Sequence, residues 1–149
     1  MGEAERTAQM DLMELDPEFF VSAQIGVEDV ARLADEGFKT LICNRPAYES
    51  GADEQPDAIQ TAAQAAGIAF YDNPLVMTEL GIEHVQRQKM ATKGKTLAYC
   101  ASGTRSAILW AFSKAGQHPT SDILAALAAA GYPMDHLAPQ IDALASRSG

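Results

Sequence analysis

The sequence predicts an α/β domain, a mostly parallel sheet flanked by helices, and three observations predict it. Short apolar or β-branched runs alternate with helical stretches along the chain. Gly37 and Gly67 stand directly after two of those stretches, where a helix stop is wanted. The connections are long enough for right-handed crossovers between neighbouring parallel strands.

Residues 1–10 are polar and without period and read as a loose terminus, so the domain is assigned to residues 11–149. Residues 12–25 are strand-like but broken by Pro17, the pattern of an edge hairpin or two brief strands. Residues 27–36 place Val27, Val30, Ala31, Leu33 and Ala34 at helical spacing. Residues 39–43 form a buried strand that leads into a polar loop, 44–55, containing Pro46 and Gly51. An alanine-rich helix with Pro56 in its first turn precedes the strand at 68–71, which Asn73-Pro74 closes. Residues 79–91 are amphipathic, and the strand Thr96–Tyr99 runs straight into Cys100. Helices at about 105–116, 120–130 and 134–145 complete a single domain, whose 149 residues suffice for one good core.

Charge excludes one class of partner. Eleven Lys+Arg against 20 Asp+Glu give a net charge of -9, and no basic patch gathers, so nucleic acid is not expected. The longest apolar stretches fall far short of the ~20 residues of a membrane span, and no signal peptide is visible. A cytoplasmic protein with no membrane association is expected. The two cysteines, Cys43 and Cys100, are expected to be reduced thiols. His84, His118 and His136 are scattered, no metal site is indicated, and no cofactor is expected.

The chemistry gathers in residues 100–106, Cys-Ala-Ser-Gly-Thr-Arg-Ser. Cys100 lies at the carboxyl end of a strand with a helix starting behind it, the place where parallel sheets bind ligands. Amides of Ala101, Ser102, Gly103, Thr104 and Arg105 can converge there, Gly103 permits the turn, and the helix start adds positive potential. Arg105 offers a planar fork for two oxygens, and Ser106 or Thr104 could donate a hydroxyl to the sulfur. The field that holds an anion also favours thiolate, making Cys100 the expected nucleophile and Arg105 its partner.

Residues 99–107, preceded by residues 21–25 (Val-Ser-Ala-Gln-Ile) and by Asn44-Arg45-Pro46, resemble the bacterial beta-lactamase-hydrolase-like protein, phosphatase-like domain family. The likeness spans about residues 11–145. It implies a protein tyrosine phosphatase-like fold of the dual-specificity type. Family members stand alone or are fused to a metallo-beta-lactamase-like persulfide dioxygenase domain, so a persulfide dioxygenase is an implied partner. The family is described both as phosphatase-like and as a rhodanese-related sulfurtransferase.

Loop length discriminates between the two. Such phosphatase loops place five residues between Cys and Arg, whereas here Ala101, Ser102, Gly103 and Thr104 intervene. The tighter ring suits one bound sulfur atom, and Cys-x-x-Gly-x-Arg-Ser looks like the loop of single-domain rhodaneses. The phosphatase pattern also has His where this chain has Tyr99, and wants an Asp general acid downstream of the preceding strand. Asp72 is the candidate acid, although the Pro74 landmark puts that position nearer Met77 and favours Asp72 as a strand-end or turn residue.

Arg45 could bind the far end of an anionic substrate or shape its loop by a salt bridge. The family more often continues the Asn-Arg-Pro motif with Asp and Gly, where this chain has Ala47-Tyr48-Glu49, and Tyr48 could stack there. Cys43 could relay sulfur or form a disulfide with Cys100, or be a small apolar strand residue. Trp110 is read as packing, and His84 and His118 as surface residues. The leading expectation is a sulfurtransferase that moves sulfane sulfur through a Cys100 persulfide, from a small anionic sulfur donor to a thiol acceptor. The alternative is a phosphatase working through a Cys100 phosphocysteine on a phosphoryl substrate. A third reading, of another class, is an idle anion-binding module.

Overall fold

A computed structural model describes residues 11–148. The expectation for residues 1–10 lies outside them. Strands β1 (Met13–Asp16) and β2 (Phe19–Ser22) form the anticipated antiparallel hairpin around Pro17-Glu18, where the Glu18 amide donates to Asp16 Oδ1 at 2.9 Å. Helix α1 (Val27–Asp35) starts at Gly26, whose amide donates to the Asp29 carboxylate at 2.9 Å, a side-chain cap on the first turn. Then come β3 (Thr40–Cys43), two 3-10 turns (Ala47–Glu49 and Ala52–Glu54), α2 (Pro56–Ala66) and β4 (Ala69–Asp72). Helix α3 (Ile82–Ala91), β5 (Thr96–Tyr99), α4 (Thr104–Ser113), α5 (Thr120–Ala129) and α6 (Ala138–Ser148) follow.

Two helix starts differ from the periodic reading. Instead of one helix from residue 79, a 3-10 turn (Met77–Glu79) is followed by a break, and α3 begins only after Gly81. His84 explains the new start: its Nδ1 accepts the Gly81 amide at 3.1 Å, so this ring is a half-buried cap rather than a surface residue. At the last helix, a 3-10 turn (Asp135–Leu137) again precedes the regular turns.

The sheet order is β1-β2-β5-β3-β4, with β2, β5, β3 and β4 parallel. Alternation along the central strands divides two cores. Leu41, Cys43, Leu97 and Tyr99 pack with Val30, Leu33, Ile59 and Ala63 of α1 and α2. Ile42 and Ala98 face the other way, against Ala107, Leu109, Ala111, Ile123, Leu127 and Ile141. Helix α4 is buried along its length from Ser106 to Ser113 because α3, α5, α6 and the sheet surround it. That accounts for its apolar residues on every side. Trp110 is part of this packing, and its Nε1 donates to Asp16 at 3.0 Å, tying the hairpin to α4. No helix among the described residues is long and apolar enough to cross a membrane.

Candidate active site

The central strand β5 delivers Cys100 to the carboxyl end of the sheet, and the loop behind it turns at Gly103, whose φ is +94°. An L side chain there would be strained, and its Cβ would fall on the Tyr132 hydroxyl, so glycine is demanded twice over. The Gly103 amide donates to Cys100 Sγ at 3.1 Å. Cys100 is 1% exposed, so its sulfur is the floor of the cradle, while Ala101, Ser102 and Thr104 form an exposed rim. The convergence of amides is partial: the Thr104 amide points to Ser102 Oγ at 3.4 Å.

Neither hydroxyl proposed for the sulfur is on it. Ser106 Oγ donates to Asn44 Oδ1 at 2.9 Å, and Thr104 pairs with Ser102 at 3.0 Å. The reason lies in a buried amide network. Gln88 of α3 donates to Asn44 Oδ1 at 2.9 Å, and its own oxygen accepts from Asn44 at 2.9 Å and from Asn73 at 2.8 Å. Asn44, Asn73, Gln88 and Ser106 are all buried, and every polar atom freed there would cost desolvation without return. The network therefore holds the start of α4 against the ends of β3 and β4.

Arg105 is gripped as strongly. Its Nη1 donates to Glu49 Oε2 and to the Leu75 carbonyl, each at 3.0 Å, and its Nη2 donates to Glu49 Oε1 at 2.8 Å. The two oxygens expected on this fork thus belong to Glu49. Hydrogen bonding from Arg105 holds the Glu49 carboxyl below its ordinary range, and Glu49 in turn raises Arg105, with a smaller contribution from the Cys100 sulfur. Arg45 donates to the Glu49 carbonyl at 2.8 Å and to Gln24 Oε1 at 3.1 Å, and its Nε lies 3.5 Å from Glu49 Oε1. Arg45 is committed to its loop, and Tyr48 beside it is 78% exposed, turned out to solvent.

Two further candidates are not brought to Cys100. Asp72 stands in register with Cys43, which stands in register with Tyr99, so all three belong to the sheet face away from α4. Partial burial raises the Asp72 carboxyl, with a contribution from Asp57, but its neighbour is the Cys43 thiol and not the catalytic loop. Asp72 thus stands as a strand-end residue, on the face away from the catalytic loop. Cys43 is buried, meets the Arg45 carbonyl at 3.4 Å, and is pushed up by burial. Both cysteines are free, and Cys43 shares the core face of Tyr99, its partner in register, rather than the loop that Cys100 opens. Burial also pushes the Tyr99 phenol far up.

Glu49, Gln88, Asn73 and Tyr132 were missed by sequence reasoning. Tyr132, from the connection after α5, donates to the Ser102 carbonyl at 3.0 Å, and burial with the nearby Cys100 sulfur raises its phenol. Glu49 alone carried a signal, as an acid six residues past the end of β3 and four past Arg45. Among the described residues no group of three His, Cys, Asp or Glu could hold a metal ion.

A buried cysteine on a strand-to-helix loop, followed by an arginine of the same loop, on a five-stranded sheet between helices, defines a phosphatase-like α/β domain of the protein tyrosine and dual-specificity type. The chain belongs to the beta-lactamase hydrolase-like protein, phosphatase-like domain family, which it matches over residues 11–117. A Beta-lactamase hydrolase-like protein of Xylella fastidiosa is 32% identical over 108 residues, which are 70% of this chain and 25% of that protein. The chain thus spans about a quarter of the length of this relative. A Neisseria meningitidis protein assigned as a phosphatase is similar at 28% identity and TM-score 0.75, over 89% of this chain and 96% of its own. Kinase associated phosphatase shares the fold at 14% identity and TM-score 0.66, over 93% of this chain and 94% of its own.

Proposed function

We propose that the domain is a Cys100-dependent sulfurtransferase built on the phosphatase-like fold. One observation carries the reading: the carboxylate that meets the catalytic loop, Glu49, is locked on Arg105 and held ionised, so it cannot protonate a departing alkoxide. The position nearest the fold's general acid by the Pro74 landmark is Met77, which carries no proton to give. Release of sulfite or a thiolate needs no such acid, because both leave as stable anions. The Cys100 thiolate attacks the outer sulfur of a sulfane donor such as thiosulfate. A sulfur-sulfur bond to Cys100 forms, the donor's own sulfur-sulfur bond breaks, and sulfite departs with its electron pair. A thiolate acceptor then removes the outer sulfur and returns Cys100 to thiolate. The Gly103 amide on Sγ supports charge on that sulfur in both steps.

The second reading is phosphoryl transfer through a Cys100 phosphocysteine, and the family description and the Neisseria neighbour favour it. Mass spectrometry after thiosulfate treatment separates the two. A gain of one sulfur atom on Cys100, absent in Cys100→Ser, is the expected result. No sulfur adduct with any donor, together with vanadate-sensitive hydrolysis of an aryl phosphate that Cys100→Ser abolishes, would replace sulfur by phosphorus.

A further inference from the structure

A cleft of about 270 Å³ lies beside the catalytic loop, between the connection that follows β2 and the ring of Tyr132. Met13 and Ala23 give it apolar wall, Ser102 brings it within two residues of Cys100, and Asp11 and Asp29 supply its charge. No Lys, Arg or His lines it among the described residues. The arginines of the site, Arg45 and Arg105, are instead bound to Glu49, and Arg45 meets the cleft only through Gln24, to whose Oε1 it donates at 3.1 Å. Because β5 is hydrogen-bonded to β2 on one side and to β3 on the other, Cys100 sits between an acidic cleft and a basic wall. An anionic donor suits the wall beside β3. The opposite side repels it and welcomes positive charge.

We propose that this cleft receives the thiol acceptor and selects a small thiol carrying a cationic amine; the proposal rests on the sulfur-transfer reading above. The ammonium group lies against Asp29 and Asp11, and the thiolate end reaches the outer sulfur of the Cys100 persulfide. The acceptor's sulfur forms the new sulfur-sulfur bond as the bond to Cys100 breaks, and the bonding pair stays on Cys100. Electrons balance without an oxidant or reductant. A thiol with a carboxylate in place of the amine meets repulsion from the same two residues.

The test loads Cys100 with thiosulfate and compares cysteamine, 3-mercaptopropionate and cyanide as acceptors, cyanide being too small to need the cleft. Asp29→Asn removes charge while keeping an oxygen to accept the Gly26 amide, and Ala23→Trp fills the cleft from an exposed position. Asp29→Asn is expected to lower the preference for cysteamine over 3-mercaptopropionate by about threefold. Ala23→Trp is expected to lower the ratio of cysteamine to cyanide transfer by roughly tenfold. If the persulfide forms and both variants keep the parent ratios, the cleft is not the acceptor site and sulfur transfer stands. If the parent chain forms no persulfide with any donor, sulfur transfer and this proposal fall together.

Discussion

Replacing Gly103 by Ala tests the geometry of the catalytic loop at its tightest point. At φ +94° and ψ -13° an alanine pays the left-handed penalty, about 1–2 kcal/mol. The added Cβ also lands on the Tyr132 hydroxyl and 3.3 Å from the Ser22 carbonyl oxygen, a backbone atom of β2 that cannot swing aside. Tyr132 must therefore move and give up its bond to the Ser102 carbonyl, worth about 0.5–1.5 kcal/mol. Together these effects destabilise the domain by roughly 2–3 kcal/mol, or about 5–10 °C in Tm for a chain of this size. Urea unfolding at equilibrium measures the loss, and a cycle with Tyr132→Ala divides it. The double variant should cost about 1 kcal/mol less than the sum of the singles, because truncating the ring clears the collision. A Gly103→Ala variant within about 0.5 kcal/mol of the parent, or a strictly additive cycle, would refute this account of the loop.

Glu49→Gln is expected to lower kcat/KM for thiosulfate by about tenfold, since Arg105 loses its bidentate anchor. The same variant tests pH linkage. The folded-state pKa of Glu49 is depressed, so its contribution is complete above the ordinary value of 4.5 and is lost as pH falls through the lowered one; urea midpoints of the parent should fall more steeply on that limb than those of Glu49→Gln. Gln88→Leu strands Asn44 and Asn73 and should cost about 2–4 kcal/mol by thermal or urea unfolding, with slower alkylation or persulfidation of Cys100 as the start of α4 loosens. Asp72→Asn should leave turnover at its parent value, where a general acid would lose it. Because the folded-state pKa of Asp72 is raised, the parent loses stability as pH climbs from 3.8 through the raised value, and the Asn variant should lack that loss in urea titrations across the window.

The strand, loop and helix around Cys100 were legible because each is encoded within a dozen neighbouring residues. Thr96–Tyr99 is a short β-branched and apolar run, Gly103 marks a turn that only glycine tolerates, and the apolar α4 announces its own burial. The hairpin around Pro17 was legible for the same local reason. Local patterns could not say which distant residues meet the loop. Glu49 is 56 positions from Arg105 and Gln88 is 44 from Asn44, and no periodicity records such a pairing. Ser106 was misread because a hydroxyl after the catalytic arginine is free to turn either way in sequence, and the buried Asn44 oxygen, which accepts from Gln88 as well, decides the direction in space. Asp72 could be read as a strand-end residue from Pro74 alone, but the face it takes could not, since one residue's shift in register exchanges the two faces of a sheet. The start of α3 was misjudged because His84, a polar residue on an amphipathic pattern, caps the helix from inside its first turn.

The order β1-β2-β5-β3-β4 has a kinetic meaning as well as a geometric one. The strand that carries Cys100 pairs with no sequence neighbour: its partners start at Phe19 on one side and Thr40 on the other, while it starts at Thr96. Closing those long loops is entropically uphill until both flanks are in place, so the catalytic cradle must be among the last parts of the chain to assemble. During synthesis and refolding the cysteine destined to be 1% exposed therefore spends its longest interval in the open, unguarded by the amide and arginine that later tame it. Oxidative damage to this chain should fall on nascent molecules more heavily than on mature ones.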